Sequence, residues 1–79
     1  MKTIGISTEY ITLGQLLKLA DCIATGGEAK FFLQEKKVVV NGEPDNRRGR
    51  KLVPGDVVEV EGCGAFTVTA RKAFGVPEK

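Results

Sequence analysis

The fold of this chain is decided by residues 12–36, which read TLGQLLKLADCIATGGEAKFFLQEK. Thr12 and Gln15 have the spacing of a capping box, in which each side chain satisfies a free backbone N–H of the other residue. The apolar residues that follow recur at helical spacing: Leu13, Leu16, Leu17, Ala20, Ile23 and Ala24. This stripe predicts a first helix that continues to Gly26 and Gly27, either of which can end it in the left-handed conformation.

A second helix is predicted to begin at once and to run to about Lys36. Thr25 and Glu28 repeat the capping-box spacing at its start. Its side chains divide into a buried apolar stripe of Ala29, Phe32 and Leu33 and a polar face of Lys30, Gln34 and Lys37. Two short helices joined by so tight a turn pack against each other at a steep angle.

Short strands flank the two helices. Residues 2–7 are rich in β-branched side chains, and the valines at 38–40 precede Asn41-Gly42, the preferred centre of a two-residue hairpin turn. Residues 54–56 (PGD) form a second turn signal, after which residues 57–70 predict a C-terminal hairpin. The pattern predicts an α+β fold with two packed helices on a small, mostly antiparallel sheet of four to five strands.

Length and composition favour one non-catalytic domain. Seventy-nine residues make a single domain, residues 1–79, in which residues 71–79 form a tail expected to fray. The chain has no histidine, the commonest general base, and its two cysteines cannot complete a zinc site without histidine partners. We therefore expect no enzyme activity, metal, cofactor or small-molecule substrate.

The expected compartment is the cytoplasm. No apolar run approaches the roughly 20 residues that span a bilayer, and the first residues lack the apolar region of a secretory signal. The sequence thus predicts no membrane association. In the cytoplasm Cys22 and Cys63 are expected to be reduced.

Positive charge is concentrated in one segment, although the net charge is only +2. Residues 30–51 hold seven basic and three acidic residues, and the rest of the chain carries −2. The densest point is RRGRK at 47–51, where planar arginine forks suit phosphate oxygens and carboxylates alike. The run therefore fits a solvated surface, an acidic protein partner or bound phosphates.

Two further features favour phosphates. Gly26 and Gly27 leave the start of the second helix open to an anion, and Lys30 lies one turn further on. An open helix start, a lysine-bearing face and a basic run all fall within 26 residues. Their combination favours phosphate binding more than any one of them does alone.

The ordered set of motifs resembles the ribosomal-protein-S-four-type (S4) RNA-binding domain, also called the αL motif. The resemblance covers about residues 11–61 and is closest to the stand-alone bacterial YaaA-like members. It is carried by the leucines of the first helix, by EAK at 28–30, by VVVNG at 38–42 and by PGDV at 54–57. It implies that the two helices and the adjacent hairpin edge bind structured RNA, often ribosomal RNA.

The resemblance implies a set of RNA-binding positions. They are Thr12, Gln15, Thr25, Gly26, Gly27, Lys30 and Lys37. The polar face of the second helix adds Gln34, and the charge pattern adds Arg47, Arg48, Arg50 and Lys51. Many members of that family have arginine where this chain has Thr12 and Gly26. We expect RRGRK to compensate, and we expect a monomer that binds ribosomal RNA or a ribosomal subunit during ribosome assembly or on the ribosome.

Two alternatives fit parts of the sequence. The basic run can instead dock on an acidic protein, in which case binding in a lysate would survive ribonuclease. The segments VVVNGE and PGDVVEVEG also occur in β-grasp sulfur carriers, but that chemistry needs a C-terminal Gly-Gly and this chain ends in VPEK. The two consecutive helices also fit a β-grasp fold poorly.

Overall fold

The computed structural model describes residues 1–71. Within them it has seven strands, two α-helices and one 3-10 turn. In chain order these are β1 (Lys2–Ile6), β2 (Ile11–Thr12), α1 (Leu13–Leu19), the 3-10 turn (Gly26–Glu28), α2 (Ala29–Glu35), β3 (Val38–Val40), β4 (Glu43–Pro44), β5 (Lys51–Leu52), β6 (Val57–Val60) and β7 (Gly64–Ala70).

The strands form one five-stranded sheet and one two-stranded sheet. The larger sheet has the order β1-β7-β6-β3-β4, and its only parallel pair among the described strands is β1 with β7. The smaller sheet pairs β2 with β5, which sets Ile11 opposite Leu52. The prediction of two helices on a mostly antiparallel sheet is confirmed, and the number of strands exceeds it because of the two-residue pair β2–β5.

The hairpin at residues 38–44 has the predicted turn. Asn41 and Gly42 both have positive φ, 52° and 86°, as a two-residue hairpin turn of the favoured type requires. The Asn41 side chain also donates to Asp56 Oδ1 at 3.0 Å and accepts from the Val57 N–H at 2.9 Å. One side chain therefore ties this turn to the start of β6.

Helix α1 is shorter than the apolar stripe predicted. The Thr12–Gln15 capping box is formed at its start, but the helix ends at Leu19. Asp21 takes the left-handed conformation (φ 65°), its N–H donates to the Lys18 carbonyl, and the Cys22 N–H donates to the Leu17 carbonyl. This is a Schellman ending with aspartate in the position that glycine usually fills.

The prediction that Gly26 and Gly27 end the first helix is therefore wrong. Gly26 and Gly27 begin the 3-10 turn that leads into α2. The Glu28 carboxylate accepts from the Ala24 and Thr25 N–H groups at 2.6 and 3.2 Å, so this part of the predicted cap is formed. Together the turn and α2 cover Gly26 to Glu35, close to the predicted extent.

The core lies between the helices and one face of the larger sheet. Leu13, Leu16 and Leu17 of α1 have no exposed surface. Facing them is an apolar set from both sheets and α2: Ile6, Ile11, Ala29, Leu33, Val38, Val40, Leu52, Val58, Val60, Phe66 and Val68. Each fully buried aliphatic side chain stabilises the fold by about 1.5–3 kcal/mol.

The two cysteines are joined by a disulfide, which corrects the prediction that they are reduced. Their Cα atoms are 6.1 Å apart, and the bond joins positions separated by 41 residues. Cys22 follows α1 and Cys63 lies in the turn between β6 and β7, so the bond ties the connection between the helices to the sheet.

The C-terminal tail lies almost wholly outside the described residues. Arg71, its first residue, donates its backbone N–H to the Ile6 carbonyl at 2.7 Å. Neither α1 nor α2, the two α-helices in residues 1–71, has the length or the apolar character needed to cross a membrane.

Candidate functional site

The basic loop, residues 45–51, is attached to the start of α1 by main-chain hydrogen bonds. The Leu13 N–H donates to the Arg50 carbonyl at 2.8 Å, and the Gly14 N–H donates to the Arg48 carbonyl at 2.9 Å. These amides belong to the first helical turn and have no partner within the helix. The loop backbone thus caps α1, while the Arg48 side chain forms no salt bridge within residues 1–71.

Gly14 allows this close approach. A β-carbon at position 14 would lie 3.4 Å from the Arg48 carbonyl oxygen and 3.6 Å from the Ala29 side chain. The first turn of α1 therefore contacts both the basic loop and the start of α2. This packing brings three segments that are distant in the sequence to one place.

Asp45 organises the loop from within. Its side chain is 7% exposed and accepts from Arg47 Nη2 at 2.8 Å and from Arg50 Nη1 at 2.7 Å. It also accepts from the Arg47 backbone N–H and Nε. The hydrogen bond from the Arg47 side chain holds the pKa of Asp45 well below its ordinary value, against the opposing effect of burial.

Two of the three arginines therefore differ from the free cations that the sequence suggested. Arg50 is only 30% exposed and serves the loop structure, while Arg47 is paired but remains 69% exposed. Both salt bridges within residues 1–71 involve Asp45. Arg48 is exposed and free of these pairs.

Lys51 has a different position from the arginines. Its ammonium lies 4.9 Å from the centre of the Tyr10 ring, a cation–π contact. Tyr10 is 42% exposed, and its ring is able to stack on a base. Because Lys51 already lies over the ring, that face is occupied in the free protein.

An open groove, the α1 groove, lies on one side of the basic loop. Its volume is about 370 Å³. It is lined by Thr12, Gly14, Gln15, Lys18, Gly26, Ala29, Arg48 and Gly49. Four of the predicted RNA-binding residues, from three separate segments, thus come together here.

A second open groove, the α2 groove, is lined by the first residues of the basic loop together with the end of α2. Its volume is about 430 Å³. It is lined by Leu33, Lys36, Lys37, Val38, Pro44, Asp45, Asn46 and Arg47. Lys37 and Arg47, both predicted from the sequence, therefore share this groove, which also contains the carboxylate that pairs with Arg47.

The remaining predicted residues are exposed around these grooves. Thr25 and Gly27 flank Gly26, and Lys30 and Gln34 lie on α2. Sequence reasoning missed Lys18 and Lys36 as candidates. Lys18 was identifiable, because it lies three residues after Gln15 on the same helix face.

The two grooves present side chains with hydrogen-bond donors and positive charge to solvent. Lys18 and Arg48 serve one groove, and Lys36, Lys37 and Arg47 serve the other. Residues 1–71 contain no cluster of three or more His, Cys, Asp or Glu side chains that could hold a metal ion. What the site can do is bind anions along a surface.

Comparison with known families agrees with this geometry. The chain matches the S4 domain over residues 4–69, a range that includes both helices and every strand from β2 to β6. The chain belongs to the S4 domain family. The sequence resemblance is thereby confirmed.

A similar protein is found in Bacillus subtilis (strain 168), where it carries the name "probable ribosome maturation protein RlbA". The two are 69% identical over 65 residues, which is 82% of this chain and 92% of that relative. The similarity therefore spans most of both chains.

Proposed function

We propose that this protein binds structured ribosomal RNA, without catalysis, during maturation of the ribosome in the cytoplasm. Membership of the S4 domain family supports RNA as the ligand class, and the similarity to a ribosome maturation protein supports the process. The observation that carries the proposal is that the basic loop contributes to two grooves, each of which also contains cations from outside the loop: Lys18 in one, Lys36 and Lys37 in the other.

The binding mechanism is electrostatic docking on backbone phosphates combined with a fit to RNA shape. Arg48 and Lys18 approach phosphates in the α1 groove, and Lys36, Lys37 and the exposed side of Arg47 do so in the α2 groove. The amide of Gln15 and the backbone at Gly26 and Gly49 supply uncharged contacts. Arg50 positions the loop through its salt bridge with Asp45.

This mechanism predicts a defined salt dependence. About four neutralised phosphates, one fewer than the five cations because Arg47 is already paired with Asp45, give a slope near −3 for log affinity against log salt, with the single-strand coefficient of about 0.7 per phosphate. Base stacking contributes little, since Lys51 lies over Tyr10. Affinity should therefore depend strongly on salt and weakly on base identity.

The test is a fluorescence anisotropy titration of labelled ribosomal RNA fragments with matched single-charge variants. Arg48→Ala keeps the carbonyl that caps α1 and should weaken binding about tenfold, the value of one charge-assisted hydrogen bond. Lys2→Ala removes one charge from β1, at the edge of the sheet opposite β4, and should leave affinity unchanged. Equal effects of the two variants would contradict the proposed surface.

An acidic protein partner is the competing interpretation of the same cations. Capture of partners from a lysate before and after ribonuclease treatment separates the two. RNA binding predicts that the ribosomal material is released by ribonuclease. Retention of a protein that binds directly to the Arg48 surface after digestion would favour the alternative.

A further inference from the structure

The Cys22–Cys63 disulfide holds a segment that contributes to the α1 groove. Cys22 begins the connection from α1 to the 3-10 turn, and Gly26 in that turn lines the groove. Cys63 lies in the β6–β7 turn, where its N–H donates to the Val60 carbonyl at 3.0 Å. The bond therefore connects one wall of the groove covalently to the sheet.

The connection between α1 and the 3-10 turn has few other contacts with the rest of the described domain. Ile23 packs into the core at 7% exposure, whereas Ala24, Thr25 and Gly26 are exposed. The Glu28 carboxylate holds the Ala24 and Thr25 amides, and Glu28 is itself an exposed residue of the adjoining 3-10 turn. Without the disulfide, residues 22–26 keep two contacts with the core side of the domain, the buried Ile23 side chain and the hydrogen bond from the Cys22 N–H to the Leu17 carbonyl at 2.9 Å.

The disulfide is accessible to small reagents. Both cysteines are only partly buried. An open groove of about 360 Å³, the cysteine groove, lies beside Cys22 and is lined by Cys22, Ile23, Glu28, Phe31, Phe32 and Glu35. A thiol reagent can therefore approach the Cys22 sulfur from solvent without unfolding the domain.

We propose that Cys22 and Cys63 form a reversible redox site that adjusts the affinity of the α1 groove for RNA, an inference that rests on the proposed function. Disulfides of cytoplasmic proteins are usually transient or redox-sensing. The Cys22–Cys63 bond is only partly buried, links a binding segment to the sheet and lies in a domain proposed to act in the cytoplasm, so it fits that class.

The chemistry is thiol–disulfide exchange with a cellular dithiol. A thiolate of the dithiol attacks the Cys22 sulfur, the Cys22–Cys63 bond breaks, and Cys63 leaves as a thiolate that takes up a proton. The second thiol of the reagent then attacks the mixed disulfide, which frees Cys22 as a thiol and oxidises the dithiol to its disulfide. A disulfide reagent reverses both steps.

The oxidised form binds RNA more tightly. In the reduced form residues 22–26 sample more conformations, and RNA must order them on binding. This ordering should weaken binding by about threefold to tenfold, the effect of immobilising about one flexible side chain or short segment.

The experiment compares oxidised and reduced protein in the same anisotropy titration with labelled ribosomal RNA fragments, and measures amide hydrogen exchange without RNA. Alkylation and mass spectrometry establish the redox state of each sample. The control is the double variant Cys22→Ser and Cys63→Ser, which should match the reduced protein and should not respond to dithiothreitol.

The expected result is a threefold to tenfold loss of affinity on reduction, with faster exchange at residues 22–28. Equal affinities of the two forms for RNA, or free thiols after incubation with oxidised glutathione, would overturn the redox proposal. If the oxidised protein binds no ribosomal RNA at all, the proposed function fails, and faster exchange on reduction still reports separately on the disulfide.

Discussion

Reduction of the Cys22–Cys63 disulfide should lower the free energy of unfolding by about 4 kcal/mol. The bond closes a chain loop with a sequence separation of 41 residues, and the entropy that such a loop removes from the unfolded chain sets this figure. A domain of 79 residues has a total stability of roughly 4–12 kcal/mol, so reduction removes a third of it or more.

The measurement is urea unfolding of the oxidised and the reduced protein, followed by circular dichroism. Thermal unfolding should show a parallel decrease of roughly 15–30 °C in Tm, because 1 kcal/mol changes Tm by about 4–8 °C in a domain of this size. The double variant Cys22→Ser and Cys63→Ser should unfold like the reduced protein. A reduced protein whose unfolding midpoint equals that of the oxidised protein would refute the reasoning.

Three further outcomes follow from the loops. Because the pKa of Asp45 is lowered in the folded state, its contribution to stability is complete above the unfolded-state pKa of about 4 and is lost as the pH falls below that value. In urea unfolding, the variant Asp45→Asn should therefore be less stable than the unaltered protein at pH 7 and should lose less stability between pH 5 and pH 2. Gly42→Ala should lower the free energy of unfolding by about 1–2 kcal/mol in the same measurement, because φ is +86° at this position. No atom of the described residues lies close enough to the added carbon to offset this strain by packing. Gly49→Ala should leave stability nearly unchanged yet weaken RNA binding in the anisotropy assay, because the added carbon would enter the α1 groove, and unaltered affinity would contradict that placement.

Local signals predicted the elements whose causes are local. The Thr12–Gln15 capping box starts α1, and Asn41-Gly42 turns the hairpin, because each acts within four residues. The alternating pattern of residues 57–60 likewise predicts β6, which is buried on one face. These features need no information about the rest of the chain.

Features that depend on distant partners were not predictable in the same way. Strands β2 and β5 have two residues each, too few to show any periodicity, and they pair across about 40 residues. Helix α1 ends at Leu19 because Asp21 turns the chain. The apolar stripe in the sequence nevertheless continues to Ile23, because Ile23 packs into the core from outside the helix. The cysteine pairing likewise depends on the complete fold.

The sequence indicated which residues the candidate site contains, but it did not indicate the role of each residue. The sequence placed Thr12, Gln15 and Gly26 on an RNA-binding surface through the family resemblance and Arg48 through the charge pattern, and all four line the α1 groove. It did not distinguish Arg48, which forms no salt bridge within residues 1–71, from Arg50, which is held by Asp45. That distinction depends on the path of the loop backbone, which the run of charges does not encode.

The attachment of the basic loop to α1 has a consequence for how such a surface can change. The loop caps the helix through the backbone carbonyl oxygens of positions 48 and 50, which every amino acid supplies. Replacement of Arg48 therefore alters what the groove attracts without removing the cap that starts the helix. Natural variation or engineering at this position can retune ligand preference while the architecture beneath it is preserved.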